Sequence, residues 1–160
     1  QGLKGALIQL ADKVADAHDQ IVHVEAEPEV ERGIDPNKQG TIFAVAEEAI
    51  NNARKHAQAD NIWVRLKQRG NMLLLIVEDD GIGFNLGSID SEYENRSSLG
   101  LVNMRERADL INALLEIESK PGRGTKLSLA VPLTSEAAEY LHRPGFARSE
   151  RSVQASSLSR

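Results

Sequence analysis

Apolar residues recur at helical spacing from the start of the chain. Leu3, Leu7, Leu10 and Val14 predict a first amphipathic helix over residues 2–17. Val22, Val24 and Ala26 then alternate with polar neighbours, as in a half-buried strand, and Pro28, Gly33 and Pro36 punctuate the following loop. A long helical pattern covers residues 37–57. Residues 61–69 and 72–79 read as two strands joined through Arg69-Gly70-Asn71, a short hairpin signal. Residues 84–98 are polar and carry no period, and a long structureless loop inside a compact domain is usually functional. Leu101, Met104, Ala108 and Ile111 mark a helix over 99–113. Two further strands, 114–118 and 125–131, flank Pro121-Gly-Arg-Gly124. After Leu133 the pattern stops, and residues 134–160, rich in Ser, Ala and Arg, read as a weakly ordered tail.

The order is helix, strand, helix, two strands, helix, two strands. It lacks the regular strand–helix alternation of a doubly wound sheet. It predicts an α+β fold of two layers, with a mixed sheet of about five strands covered on one face by about three helices. A length of 160 residues suits one core, so residues 1–133 are expected to form one domain. The chain starts at Gln1 directly in a helical pattern, which reads as a fragment of a longer protein.

Composition narrows the function. With no cysteine, disulfides and thiolate metal sites are excluded, and a cytoplasmic setting is expected. No apolar run is long enough to span a bilayer and no signal-peptide pattern precedes the fold, so this segment is expected to make no membrane contact, whatever anchors a longer protein. A net charge of −5 without a basic, aromatic-interleaved stripe argues against nucleic-acid binding.

Two stretches carry chemistry. In the long helix, Glu48, Asn52 and Lys55 fall within about 60° of one another at about 100° per residue, opposite Ile42, Ala46, Ala49, Ile50, Ala53 and Ala57. The bland alternative is a solvated face, but the adjacent Asn51 and Asn52 are poor mid-helix residues. The second stretch, Val77-Glu-Asp-Asp-Gly-Ile-Gly-Phe84, ends an uninterrupted apolar run in carboxylates and glycines. A tight Asp-Gly turn accounts for that pattern alone. The dinucleotide fingerprint would need a third glycine where Leu86 stands, Gly124 is followed by Thr125-Lys126 and not by the P-loop ending, and the acids are out of register for an EF-hand.

Taken together, Glu48-x-x-x-Asn52-x-x-Lys55-His56, Asp79-x-Gly81-x-Gly83, Leu99-Gly100-Leu101 and Gly122-x-Gly124-Thr125 resemble the ATP-binding domain of sensor histidine kinases. That domain belongs to the superfamily of DNA gyrase B, Hsp90 and MutL. Asn103-Met-Arg-Glu-Arg-Ala108 is similar to the nitrate-sensor-like branch. The resemblance covers about residues 1–133. It implies ATP and Mg2+ as ligands, with Asp79 accepting a hydrogen bond from the adenine amino group. It further implies that Gly81 and Gly83 admit backbone close to the nucleotide and that Thr125, beside Gly124, supports the adenine pocket.

By the same resemblance Asn52 is the magnesium ligand, Glu48 has metal-shell or general-base duty, and Lys55 and His56 meet phosphate. Residues 85–98 correspond to an ATP lid, and Gly100 and Leu101 open a helix whose backbone N–H groups face phosphate. Ser98 stands where many members have a lid glycine. Arg105 and Arg107 are read as pairing with Glu106 and Asp109 before phosphate. His18-Asp19 has the dipeptide of a phosphoacceptor but falls at a helix end before a strand, so it reads as a loop. The acceptor histidine is therefore expected on a dimerisation helix outside this chain, with a response regulator downstream. A serine kinase of the anti-sigma-factor type and a non-catalytic nucleotide-gated interaction module are the alternatives.

Overall fold

The computed structural model describes residues 2–85 and 92–143. Helix α1, Gly2–Ala17, buries Leu3, Leu7, Ala11 and Val14 on one stripe. Strand β1, Ile21–Ala26, follows. Helix α2, Pro36–His56, has a defined start: the Asp35 side chain accepts the Asn37 N–H at 2.8 Å, and Pro36 occupies the first turn, where a missing N–H costs nothing. Strands β2, Asn61–Arg69, and β3, Met72–Asp79, form an antiparallel hairpin whose turn uses Gly70 at φ 55°. Helix α3 is Glu92–Leu110, and strands β4, Leu114–Ser119, and β5, Thr125–Pro132, form the second hairpin.

The sheet order is β1-β2-β3-β5-β4, with β1 parallel to β2 and every other pair antiparallel. This is the expected mixed α+β architecture. One face carries Ile62, Val64, Leu66, Leu73, Leu75, Val77, Leu127 and Leu129, and it packs against α1, α2 and α3 in a single core. Most of the fold's stabilisation lies there, since burying one such side chain contributes about 1.5–3 kcal/mol.

Two expectations are corrected. The helix predicted over 99–113 begins at Glu92 and ends at Leu110. Its early turns have no apolar period to announce them, because a helix propagates one bond per residue from a packed segment. It stops in a Schellman turn: Asn112 sits at φ 55°, its N–H donates to Asp109 O at 3.1 Å, and the Ala113 N–H returns to Ala108 O at 2.9 Å. The expected tail also starts too early. Thr134 caps helix α4, Ser135–Leu141, through Ala137 N–H to Oγ1 at 3.1 Å. Leu141 packs with Leu74 and Ala130 on the sheet face away from α1–α3. Burial on that face too explains why β3 is an unbroken apolar run. The rest of the tail, 144–160, lies outside the described residues. Among the described residues no helix is long and apolar enough to cross a membrane.

Candidate nucleotide site

A pocket opens between α2, α3 and the sheet. Ala49, Asn52, Ala53 and Ala57 form its helical wall, while Val77, Asp79, Thr125 and Leu127 form the sheet side. Phe84, Leu101, Met104 and Ile117 complete it. Three of the four residues of the helical wall are alanines, which leaves room between this wall and the sheet. Its interior is about 40 Å³, space for about one water molecule and far below the roughly 300 Å³ at the small end of ligand pockets. Entry of a planar base therefore requires the pocket to widen.

Asp79 is 8% exposed and is the single buried charged side chain among the described residues. Its Oδ1 accepts the Gly81 N–H at 2.9 Å. Burial pushes this carboxyl above its ordinary value. The backbone N–H groups of Gly81 and Thr125 draw it partly back, and the neighbouring charges of Asp80 and Glu78 push it up again. A buried acceptor in a mostly apolar pocket suits a ligand that brings a hydrogen-bond donor. Asp80 does different work. It takes the N–H groups of Asp60 and Asn61, each at 2.9 Å, and the Asn61 side-chain amide at 3.0 Å, tying the end of β3 to the start of β2. Burial would raise its carboxyl, but the bonds from Asn61 and Asp60 outweigh that and hold it below the ordinary range.

The glycines of this region are required by the protein's own backbone. A Cβ on Gly81 would overlap the Ala57 carbonyl, and one on Gly83, at φ 63°, would overlap the Lys120 carbonyl. A Cβ on Gly124, at φ 70°, would overlap the Asp79 carbonyl. The backbone groups of Ile82 are also consumed internally: its N–H donates to Ala57 O at 2.7 Å, and its carbonyl accepts Gly122 N–H at 2.6 Å. The turn after β3 is thus a wedge between the end of α2 and the β4–β5 hairpin. Gly81 and Gly83 therefore carry a packing role within the protein, beside the expected one of admitting backbone close to a nucleotide.

Glu48 and Asn52 stand one turn apart on α2, facing α3. A Cβ at Gly100 would come 2.5 Å from Glu48 Oε1 and 3.5 Å from Asn52 Nδ2, so Gly100 is what lets α3 lie against this polar face. Gly100 sits well inside α3 and not at its start, which corrects the expectation that it opens the helix; its N–H belongs to the helical ladder. Lys55 is exposed, His56 is half-buried, and neither lines the pocket. Arg105 donates to the Leu115 carbonyl at 3.3 Å, a structural bond to β4 and not the expected acidic pair. The expected lid, 85–98, has residues 86–91 and the Ser98 side chain outside the described residues.

Sequence reasoning missed Phe84, Met104, Ile117 and Ser119. Met104 belonged to a recognised apolar stripe, and only the fold turns part of that stripe into a pocket wall. Ser119 had no signal at all. Its Oγ accepts the Phe84 N–H at 2.8 Å, lies 2.8 Å from Thr125 Oγ1, and donates to Gly124 O at 3.2 Å. Among the described residues no cluster of three His, Asp or Glu side chains could hold a metal alone. The oxygens of Asn52 and Glu48 fit a magnesium ion that takes most of its shell from phosphate and water.

Comparison with known proteins shows the family and the fold. The chain is 37% identical over 137 residues to an uncharacterized sensor-like histidine kinase of Chloroflexus aurantiacus, covering 84% of this chain and 23% of that protein. It is 36% identical over 136 residues to the sensor protein VraS of Staphylococcus epidermidis, covering 85% of this chain and 36% of that protein. It therefore spans well under half the length of these curated relatives. In fold it is similar to the histidine kinase domain of the Erythrobacter litoralis blue-light activated histidine kinase, with a TM-score of 0.68 at 24% identity over 85% of this chain and 63% of the other. The Acinetobacter baumannii histidine kinase AdeS gives a TM-score of 0.65 at 12% identity, covering 84% of this chain and 66% of the other. Residues 37–135, more than half of the chain, match the family described as histidine kinase-, DNA gyrase B-, and HSP90-like ATPase. The chain belongs to that family, as an ATP-binding domain.

Proposed function

We propose that this domain is the catalytic, ATP-binding part of a two-component sensor histidine kinase, which binds Mg-ATP and donates the γ-phosphoryl group to a histidine on a dimerisation helix elsewhere in a longer protein. The observation that carries the reading is the buried Asp79 carboxylate on the sheet side of a mostly apolar pocket whose helical wall includes Asn52. In this reading Asp79 receives the adenine amino group, with Thr125 beside it. Asn52 and Glu48 hold magnesium, which neutralises phosphate charge when bound. Lys55 and His56, near the end of α2, serve the phosphates from outside the base pocket.

Phosphoryl transfer needs little covalent chemistry from the protein, so these residues act by positioning and charge. The similarity to a sensor-like histidine kinase and to a sensor protein favours a response regulator as the downstream partner. The nucleotide-binding unit is residues 1–133, with α4 clasped onto its outer sheet face. Calorimetric titration of ADP and ATP into wild type and Asp79→Asn tests the site; equal affinities for the two proteins would refute it. Supplying radiolabelled ATP to a longer chain that includes the upstream helices tests the activity. An acid-labile, base-stable phosphoprotein is expected, and acid-stable phosphoserine on a partner would instead assign a serine kinase.

A further inference from the structure

Ser119 closes β4 behind Thr125 and does not line the pocket itself. Its hydroxyl joins the segment leaving the glycine turn, through Phe84 N–H at 2.8 Å, to the β4–β5 hairpin, through Gly124 O at 3.2 Å, and to Thr125 Oγ1 at 2.8 Å. A serine hydroxyl has one proton and two lone pairs. One lone pair takes the Phe84 N–H. When the proton goes to the Gly124 carbonyl, only a lone pair remains for Thr125, so Thr125 must be the donor of that bond. The reverse arrangement gives the Ser119 proton to Thr125 and strips Gly124 O of this donor. The first arrangement makes three bonds around Ser119 and the second makes two.

The consequence falls on the pocket. With its proton held by Ser119, the Thr125 hydroxyl can only accept from a ligand. Asp79, ionised, also only accepts. An exocyclic amino group satisfies such a surface, whereas a carbonyl oxygen meets lone pairs on both sides.

We infer that Ser119 is a positioning residue for base selection: by holding the Thr125 proton it keeps the inner end of the pocket an acceptor surface, which takes a 6-amino purine and rejects a 6-oxo purine. This rests on the reading of Asp79 as the base-recognising residue.

The test compares ADP with inosine diphosphate by calorimetric titration. Wild type prefers ADP. In Ser119→Ala the Thr125 hydroxyl is free to turn and donate to a 6-oxo group, so the ADP-to-IDP preference falls roughly fivefold, about what one hydrogen bond contributes. Ser119→Thr restores it, and in a Thr125→Val background Ser119→Ala lowers it no further. Equal weakening of both nucleotides by Ser119→Ala overturns the assignment, as does the same fivefold loss in the Thr125→Val background. If Ser119→Ala does not fold, Thr125→Ser should keep the wild-type preference and Thr125→Val should lower it; equal preferences in those two overturn the proposal. A wild type that does not distinguish ADP from IDP refutes the reading of Asp79 and this inference with it. A wild-type preference that Ser119→Ala leaves untouched refutes the role of Ser119 alone.

Discussion

Gly100→Ala separates the stability of α3 from the state of the polar face it covers. Alanine in place of glycine inside a helix stabilises it by about 1 kcal/mol. Against this, the new methyl group would lie 2.5 Å from Glu48 Oε1, so that carboxylate must swing away. It is the free end of a half-buried side chain, and a shift in its torsions costs about 0.5–1.5 kcal/mol. The two effects nearly cancel, and a net change within about 1 kcal/mol moves the melting temperature of a chain this size by no more than about 4 °C. On the proposed function, however, the displaced Glu48 carboxylate would no longer reach a magnesium ion shared with Asn52. Thermal unfolding with and without Mg-ADP reads both quantities, since a ligand that binds only the folded state raises stability according to its affinity. The expected result is an almost unchanged melting temperature for the free protein and a clearly smaller shift on adding Mg-ADP. A drop of more than about 10 °C without ligand would show that α3 cannot absorb the methyl group by moving Glu48. An undiminished ligand shift would remove Glu48 from the site.

Gly81→Ala should behave in the opposite way, because its new methyl meets the Ala57 carbonyl, which is backbone and cannot step aside. A loss of about 1–3 kcal/mol is expected in urea unfolding, and a neutral variant would contradict the wedge packing. The adjacent acids should show opposite pH dependence. Asp79, raised in the fold, favours the folded state in acid and loses that contribution as pH rises through its folded value, so Asp79→Asn should gain stability relative to wild type from acid to neutral pH. Asp80, held low, contributes above the ordinary carboxylate range and loses that contribution as pH falls, so Asp80→Asn should cost stability at neutral pH and converge with wild type in acid. Melting temperatures across that range decide both, and parallel curves for either variant would refute its sign. Leu141→Ala should cost about 2 kcal/mol, near the low end for a buried leucine because its cluster is small, and should expose α4 to proteolysis. Unchanged denaturation and digestion would mean that α4 contributes nothing.

The sequence by itself determined the elements whose faces differ in polarity. The stripe Leu3, Leu7 and Val14, the alternation along 61–69 and the apolar run 72–79 each state locally which side is buried, and the observed spans follow them. The family resemblance carried by the motifs grouped Asn52, Asp79, Leu101 and Thr125, and all four line one pocket. Tertiary structure alone decided what depends on distant partners. Seven residues of α4 carry too few apolar positions to announce a helix, and only Leu74 and Ala130 make Leu141 an anchor. Gly81 and Gly83 read in the sequence as room for a ligand, and only the fold shows that they and Gly124 are also crowded by Ala57, Lys120 and Asp79. Ser119 was invisible for the same reason: a hydroxyl acquires meaning from the donors and acceptors around it, and Phe84 reaches it only when the turn after β3 is wedged against the second hairpin.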